Sequence, residues 1–199
     1  MLKAEYVFHS FRFKNPATTS RGILRKMNNA FILLKQTSNE ENIGIGECAV
    51  IPKLSIDDTP VYKNKLKEVC TGINEGKPAE SMNLKGYPSI LFGLEMALLD
   101  LKNDGNGILF PSPFTRGLKF VKINGLIWMG AVQSMLDQIK FKLKNHFTCL
   151  KIKVGSINFD DELRLLKIIR KEYSKNEVQI RLDANGAFAF EEAMEKINR

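Results

Sequence analysis

Two short runs, "CLKIKVG" at 149–155 and "VQIRLDANG" at 178–186, constrain this chain most, because each alternates apolar and charged residues. Leu150, Ile152 and Val154 interleave with Lys151 and Lys153, and Val178, Ile180 and Leu182 interleave with Arg181 and Asp183. Successive side chains of a strand point to opposite faces, so each run has one greasy face and one charged face. Between them "FDDELRLLKIIRKEY" reads as a helix, with Asp160 or Asp161 as its cap and Leu163, Leu166, Ile169 and Tyr173 as its inward stripe. One step earlier, "LKFVKINGLIWMG" predicts a strand and "AVQSMLDQIKFKLKN" a helix, and residues 189–198 begin another helix after the third strand. Three β–α units spaced about thirty residues apart argue for a parallel sheet. The central strands of an open, doubly wound sheet are apolar on both faces, and these are not. A parallel barrel resolves the conflict: the apolar face packs under outer helices, and polar groups near the strand C-termini face the interior. Asn124, Lys151, Lys153, Arg181, Asp183 and Asn185 then share the inner face, and their charges imply a chemical site there.

The first half is patterned differently. Residues 2–13, 30–37 and 43–50 read as strands, with "SNEEN" as a hairpin connection between the last two. The stretch "KNPATTSRGILRKMNN" between the first two is polar and long, which predicts a loop of the kind that often carries function. Helices are expected at about 60–75 and at 89–103, where Ile90, Leu94, Ala97 and Leu101 recur near the helical period and "KNDGNG" ends the run. The style changes near residue 110, so the expected division is 1–108 and 109–199, an α+β part followed by an α/β part.

At 199 residues, 44% apolar and 26% charged, the chain has the composition of a folded globular protein. It has no run near the ~18 apolar residues a membrane helix needs, and its start lacks the features of a signal peptide. The expected compartment is the cytoplasm, without membrane attachment. Cys48, Cys70 and Cys149 are widely spaced and form no Cys-x-x-Cys pair, which predicts reduced, mostly buried thiols. The net charge of +8 is spread along the chain without a dense basic block, so it points to an anionic small molecule rather than nucleic acid. His9 and His146 have no matching nucleophile constellation. The glycines of "GIGECA" precede no helix, which excludes a dinucleotide loop.

The pair Lys151-Ile152-Lys153 followed one unit later by "RLDANG" resembles the Lys-x-Lys and Asp-x-Asn motifs of the enolase superfamily, muconate-lactonising subgroup. "GIGECAVIP" is similar to that subgroup's capping-domain strand and loop, and "SILFGLEMALLDL" to the helix leading into its barrel. "TSRG" and "INGLIWMG" resemble o-succinylbenzoate synthases of the Bacteroidetes type, lyases of menaquinone synthesis. The resemblance covers essentially the whole chain. It implies an enolase-like α+β capping domain followed by about three β/α units of a modified TIM barrel. It also implies Mg²⁺, with Mn²⁺ as an alternative, held by three carboxylates on consecutive strands, and a further lysine on a later strand. Only the first carboxylate, Asp183, falls within this sequence. The chain is therefore expected to be an inactive N-terminal fragment that is prone to self-association.

By the same resemblance Lys153 is the catalytic lysine, with Lys151 beside it. An α-proton next to a carboxylate is weakly acidic, so the chemistry needs a base and stabilisation of the enediolate that forms. The plainer reading, two solvated lysines on an edge strand, fits poorly with β–α units on either side. Asp183 is the metal-ligand candidate; alone before "NG" it would read as a turn aspartate, and the neighbouring lysines favour the metal. Arg181 and Asn185 are candidate substrate contacts, as are Arg21 and Arg25 in the long loop, where a dianionic carboxylate substrate would find guanidinium partners. The reaction implied is dehydration to 2-succinylbenzoate. N-acylamino acid racemisation, dipeptide epimerisation and a non-catalytic binding fragment are the alternatives.

Overall fold

The computed structural model describes residues 1–19 and 22–199. They form two compact units: Met1–Pro16 with Leu24–Phe120, and Val121–Arg199 with the short stretch Ala17–Ile23. The first unit is built on strands β1 (Leu2–Thr19), β2 (Gly22–Gln36) and β3 (Asn39–Cys48), in that spatial order, and on helices α1 (Tyr62–Asn74) and α2 (Pro88–Lys102). β2 and β3 pair antiparallel from Ala30↔Cys48 to Leu33↔Ile45 and on to Gln36↔Asn39, with an irregularity at Lys35/Gln36. Ala30, Ile32 and Leu34 of β2 turn to one face and are buried with Leu66 and Ile73 of α1 and with Ile90, Leu94 and Ala97 of α2. Each such leucine or isoleucine contributes about 1.5–3 kcal/mol by leaving water.

The glycines of "IGIGEC" have a packing explanation. A Cβ on Gly44 would lie 2.1 Å from the carbonyl oxygen of Ala97, and one on Gly46 would lie 1.7 Å from that of Gly93, so the backbone of α2 rests directly on β3. Buried Asp100 fastens the same contact by accepting the backbone N–H groups of Ile45 at 3.0 Å and Gly107 at 2.8 Å.

Two expectations for this unit change. The strands do not stop at residue 13 and restart at 30 but continue to Thr19 and from Gly22. Their outer halves are largely solvent-exposed, so the ladder rather than a buried face holds them, and a ladder leaves no hydropathy signal. "SNEEN" is likewise mostly strand, because β3 begins at Asn39 directly opposite Gln36.

The second unit carries β4 (Gly125–Ile127), β5 (Cys149–Lys153) and β6 (Gln179–Asp183), parallel and adjacent in that order, with α3 (Val132–Lys144), α4 (Phe159–Glu172) and α5 (Phe190–Asn198). This is the succession of parallel β/α units that the sequence predicts. Leu150, Ile152 and Val154 of the first motif bury with Ile127, Val178, Met135, Ile139, Leu165 and Ile169. The strand expected over 118–130 contracts to three residues. A strand persists only where a neighbour completes its ladder, and β5 faces β4 only from Gly125↔Leu150 to Ile127↔Ile152. The helix after β5 is capped by Asn158, whose side chain accepts the Asp160 N–H, rather than by Asp160 or Asp161. Its inward face is Glu162, Leu165 and Ile169, with Leu163 only half-buried. Among the described residues no helix is long and apolar enough to cross a membrane.

Candidate active site

The parallel register decides which charged residues meet. Lys151 lies opposite Arg181 and Lys153 opposite Asp183, so the C-terminal ends of β5 and β6 bring a lysine and an aspartate side by side. Asp183 Oδ2 accepts the Lys153 ammonium at 2.8 Å and the Lys151 ammonium at 2.9 Å. Lys153 also donates to Asn185 Oδ1 at 2.6 Å. Asn185 N–H donates to Asp183 Oδ1 at 3.1 Å, which closes a tight turn with Asn185 in the left-handed region at φ 47°. The Val154 N–H donates to the Asp183 carbonyl at 3.1 Å, so the two strand ends are tied by backbone as well as by side chains. The Lys153 side chain is only 13% exposed and that of Lys151 is 37% exposed, which makes Lys153 the enclosed member of the pair. The hydrogen bonds from Lys153, then from Lys151, hold the Asp183 carboxyl far below the usual carboxylate range.

Trp128 adds a wall. It follows β4, and Gln138 of α3 clips its backbone by accepting the Trp128 N–H at 2.7 Å and donating to the Trp128 carbonyl at 3.1 Å. The indole lies 5.9 Å from the Lys153 ammonium, within cation–π range. The same two-residue period that marks Asn124 as inward reaches Trp128, so its place was readable from the sequence; the Gln138 clip was not.

The other candidates are dispersed. Arg181 shares the inner face but lies one layer down, since alternate strand residues are about 6.6 Å apart. Its guanidinium contacts Gln179 at 3.3 Å and lines a cleft of about 720 Å³ with Lys122, Asn124, His146 and Cys149, at the N-terminal ends of the strands. Arg25 is exposed on β2, within the first unit. Arg21 lies outside the described residues. The His9 ring packs against Phe11 at 4.5 Å. All three cysteines are free; burial pushes the Cys48 thiol up to about 12 and that of Cys70 up to about 11.

Among the described residues no three His, Cys, Asp or Glu side chains gather as a metal-ligand set. Asp183 is a suitable oxygen donor for a hard cation, but it is one carboxylate, and two ammonium groups already engage its Oδ2. The described residues alone do not complete a divalent-metal site.

No family model matches the chain. It is 35% identical over 218 aligned residues to the o-succinylbenzoate synthase of Desulfotalea psychrophila, an alignment covering 94% of this chain and 58% of that protein. The crystal structure of MenC from Desulfotalea psychrophila superposes with a TM-score of 0.82 at 30% identity over 98% of this chain and 60% of that one. The o-succinylbenzoate synthase from Thermosynechococcus elongatus, solved with Mg in its active site, shares the fold with a TM-score of 0.71 at 19% identity, over 98% of this chain and 56% of that one. The chain thus spans less than two thirds of the length of each of these three proteins. Similarity along nearly its whole length, together with the shared fold, makes this chain a relative of the o-succinylbenzoate synthases.

Proposed function

We propose that this chain is the N-terminal portion of an o-succinylbenzoate synthase, which removes water from 2-succinyl-6-hydroxy-2,4-cyclohexadiene-1-carboxylate to give the aromatic 2-succinylbenzoate of menaquinone synthesis. The observation that carries the reading is the cluster of Lys153, Lys151, Asp183 and Asn185 at the C-terminal ends of adjacent parallel strands, where barrel enzymes keep their chemistry. In this proposal residues 1–108 form the capping domain and 109–199 the opening units of the barrel.

Acting as the neutral amine, Lys153 takes the proton α to the substrate carboxylate on its Nζ and becomes the ammonium, leaving the electron pair on the enediolate. The pair then re-forms the ring double bond as the hydroxyl departs, and the same Nζ returns the proton to it, so that water leaves and the ring becomes aromatic. Trp128, 5.9 Å from the Nζ, and the β5–β6 strand ends leave the Lys153 side chain only slightly exposed to water. Lys151 keeps a second positive charge beside the developing negative one. Asp183 would be one ligand of Mg²⁺, or of Mn²⁺ in its place, and a bound divalent ion would offset negative charge on the substrate carboxylate. Asn185, which accepts a hydrogen bond from Lys153, is the proposed substrate contact beside it.

The test is turnover of the cyclohexadiene substrate, followed by loss of diene absorbance, using the product of the complete reading frame with Mg²⁺. Dehydration supports the reading; inertness toward this substrate with turnover of an N-acylamino acid or dipeptide would replace it with the epimerase alternative.

A further inference from the structure

One buried carboxylate takes no part in this mechanism. Glu162, on the first turns of α4, is 2% exposed, in a position where a helix of this kind would ordinarily carry an apolar side chain. Its Oε1 accepts the Gly155 N–H at 2.6 Å and the Ser156 N–H at 3.3 Å, while its Oε2 has no hydrogen-bond partner among the described residues. Those two amides belong to the turn that begins two residues after Lys153. Gly155 is left-handed at φ +88°, and a Cβ there would lie 2.5 Å from the Cβ of Ala187, in the turn after β6. The turn is therefore held from both sides, by Glu162 from α4 and by Ala187 and Phe188 from the chain that follows Asp183 and Asn185.

Burying a carboxylate is expensive unless it is well hydrogen-bonded, and a carboxylate with one idle oxygen is more costly still. A purely structural anchor for this turn needs no charge. We infer that Glu162 is a positioning residue, whose buried carboxylate grips the Gly155–Ser156 amides and thereby fixes the direction in which Lys153 leaves β5 toward Asp183 and the substrate. The negative charge makes the grip stronger than a neutral acceptor would, since hydrogen bonds to an ionised group are roughly twice as strong as neutral ones. Near-attack alignment is steep in distance: a misplacement of about 1 Å can cost on the order of 10²-fold in rate. This inference rests on the proposed role of Lys153.

Two measurements separate the inference from that role. Amide hydrogen exchange in the chain itself reads the grip directly. In Glu162→Gln and Glu162→Ala, exchange at Gly155 and Ser156 should accelerate by about tenfold or more, while amides at Leu165 and Ile169 change little. In the complete reading-frame product, Glu162→Ala should lower kcat by about 10–10²-fold with KM nearly unchanged, and Glu162→Gln should recover part of the loss. Ile169→Val serves as the control for a general loss of stability, and it should lower the melting temperature without lowering kcat per folded molecule. Unchanged exchange at Gly155 in Glu162→Ala would overturn the inference, as would faster exchange with an unaltered kcat. If the wild-type product turns over no substrate, the reaction assignment falls, and the exchange rates still decide whether Glu162 holds the turn.

Discussion

Substitutions one residue apart on β5 should have opposite consequences. Ile152 is 1% exposed in the apolar layer beneath α3 and α4, whereas Lys153 points to the other face. Ile152→Ala removes three buried carbons and leaves a cavity, at a cost of about 2–5 kcal/mol. With a urea slope of about 1–3 kcal/mol per M for a unit of this size, the unfolding midpoint should fall by about 1 M or more. A unit with little stability to spare would unfold outright. Lys153→Met keeps the stem and removes the ammonium, so its midpoint should move much less. The assay is intrinsic fluorescence, since Trp128 is the only tryptophan of the sequence and belongs to the second unit. Its emission should also change in Lys153→Met, because the ammonium lies 5.9 Å from the ring. Equal midpoint shifts in the two variants, or a larger one for Lys153→Met, would refute the assignment of faces.

Three further outcomes follow from the geometry. Because the Asp183 carboxyl is held below its ordinary range in the folded state, it contributes stability above the ordinary carboxylate pKa near ~3.9, and that contribution is lost as pH falls toward its own lower value; Asp183→Asn should flatten the acid limb of the Trp128-detected stability curve. The thiols of Cys48 and Cys70, raised by burial to about 12 and about 11, should react slowly with a thiol reagent at mildly alkaline pH in the native protein, and half-buried Cys149 should label first. The 199-residue chain alone should show no specific Mg²⁺ uptake by calorimetry, since Asp183 is the one carboxylate that the site offers among the described residues; a stoichiometric heat of binding that disappears in Asp183→Asn would contradict this.

The meeting of Lys153 and Asp183 was legible because two periods fix it. Alternation assigns the face, and the strand–helix–strand spacing assigns the neighbour, so Lys151, Lys153 and Asp183 converge whatever the loops do. Arg181 shows the limit of that reasoning: it lies beside Lys151 in the register, yet its guanidinium turns to Gln179 instead of Asp183, and the direction a long side chain takes is not encoded in hydropathy. Glu162 was hidden for a different reason. A glutamate flanked by Asp161 and Arg164 at a helix start reads as solvated, and only the unpaired amides of a left-handed turn after β5 draw it inward. In the first unit, Gly44 and Gly46 suggested a nucleotide loop to be excluded, while their actual service is to seat α2 against β3, a requirement visible only once the helix is in place. The long β1–β2 ribbon escaped notice because it buries little, and the three-residue β4 was overestimated because its apolar run has a ladder partner over only part of its length.

The most direct test of the central claim is kcat for dehydration of 2-succinyl-6-hydroxy-2,4-cyclohexadiene-1-carboxylate by the complete reading-frame product, compared between wild type, Lys153→Ala and Lys151→Ala at equal folded concentration. The account predicts that Lys153→Ala loses at least about 10²-fold, the scale of a missing acid–base group, and that Lys151→Ala loses less. A Lys153→Ala protein within about tenfold of wild type, or a Lys151→Ala protein more impaired than Lys153→Ala, would contradict it.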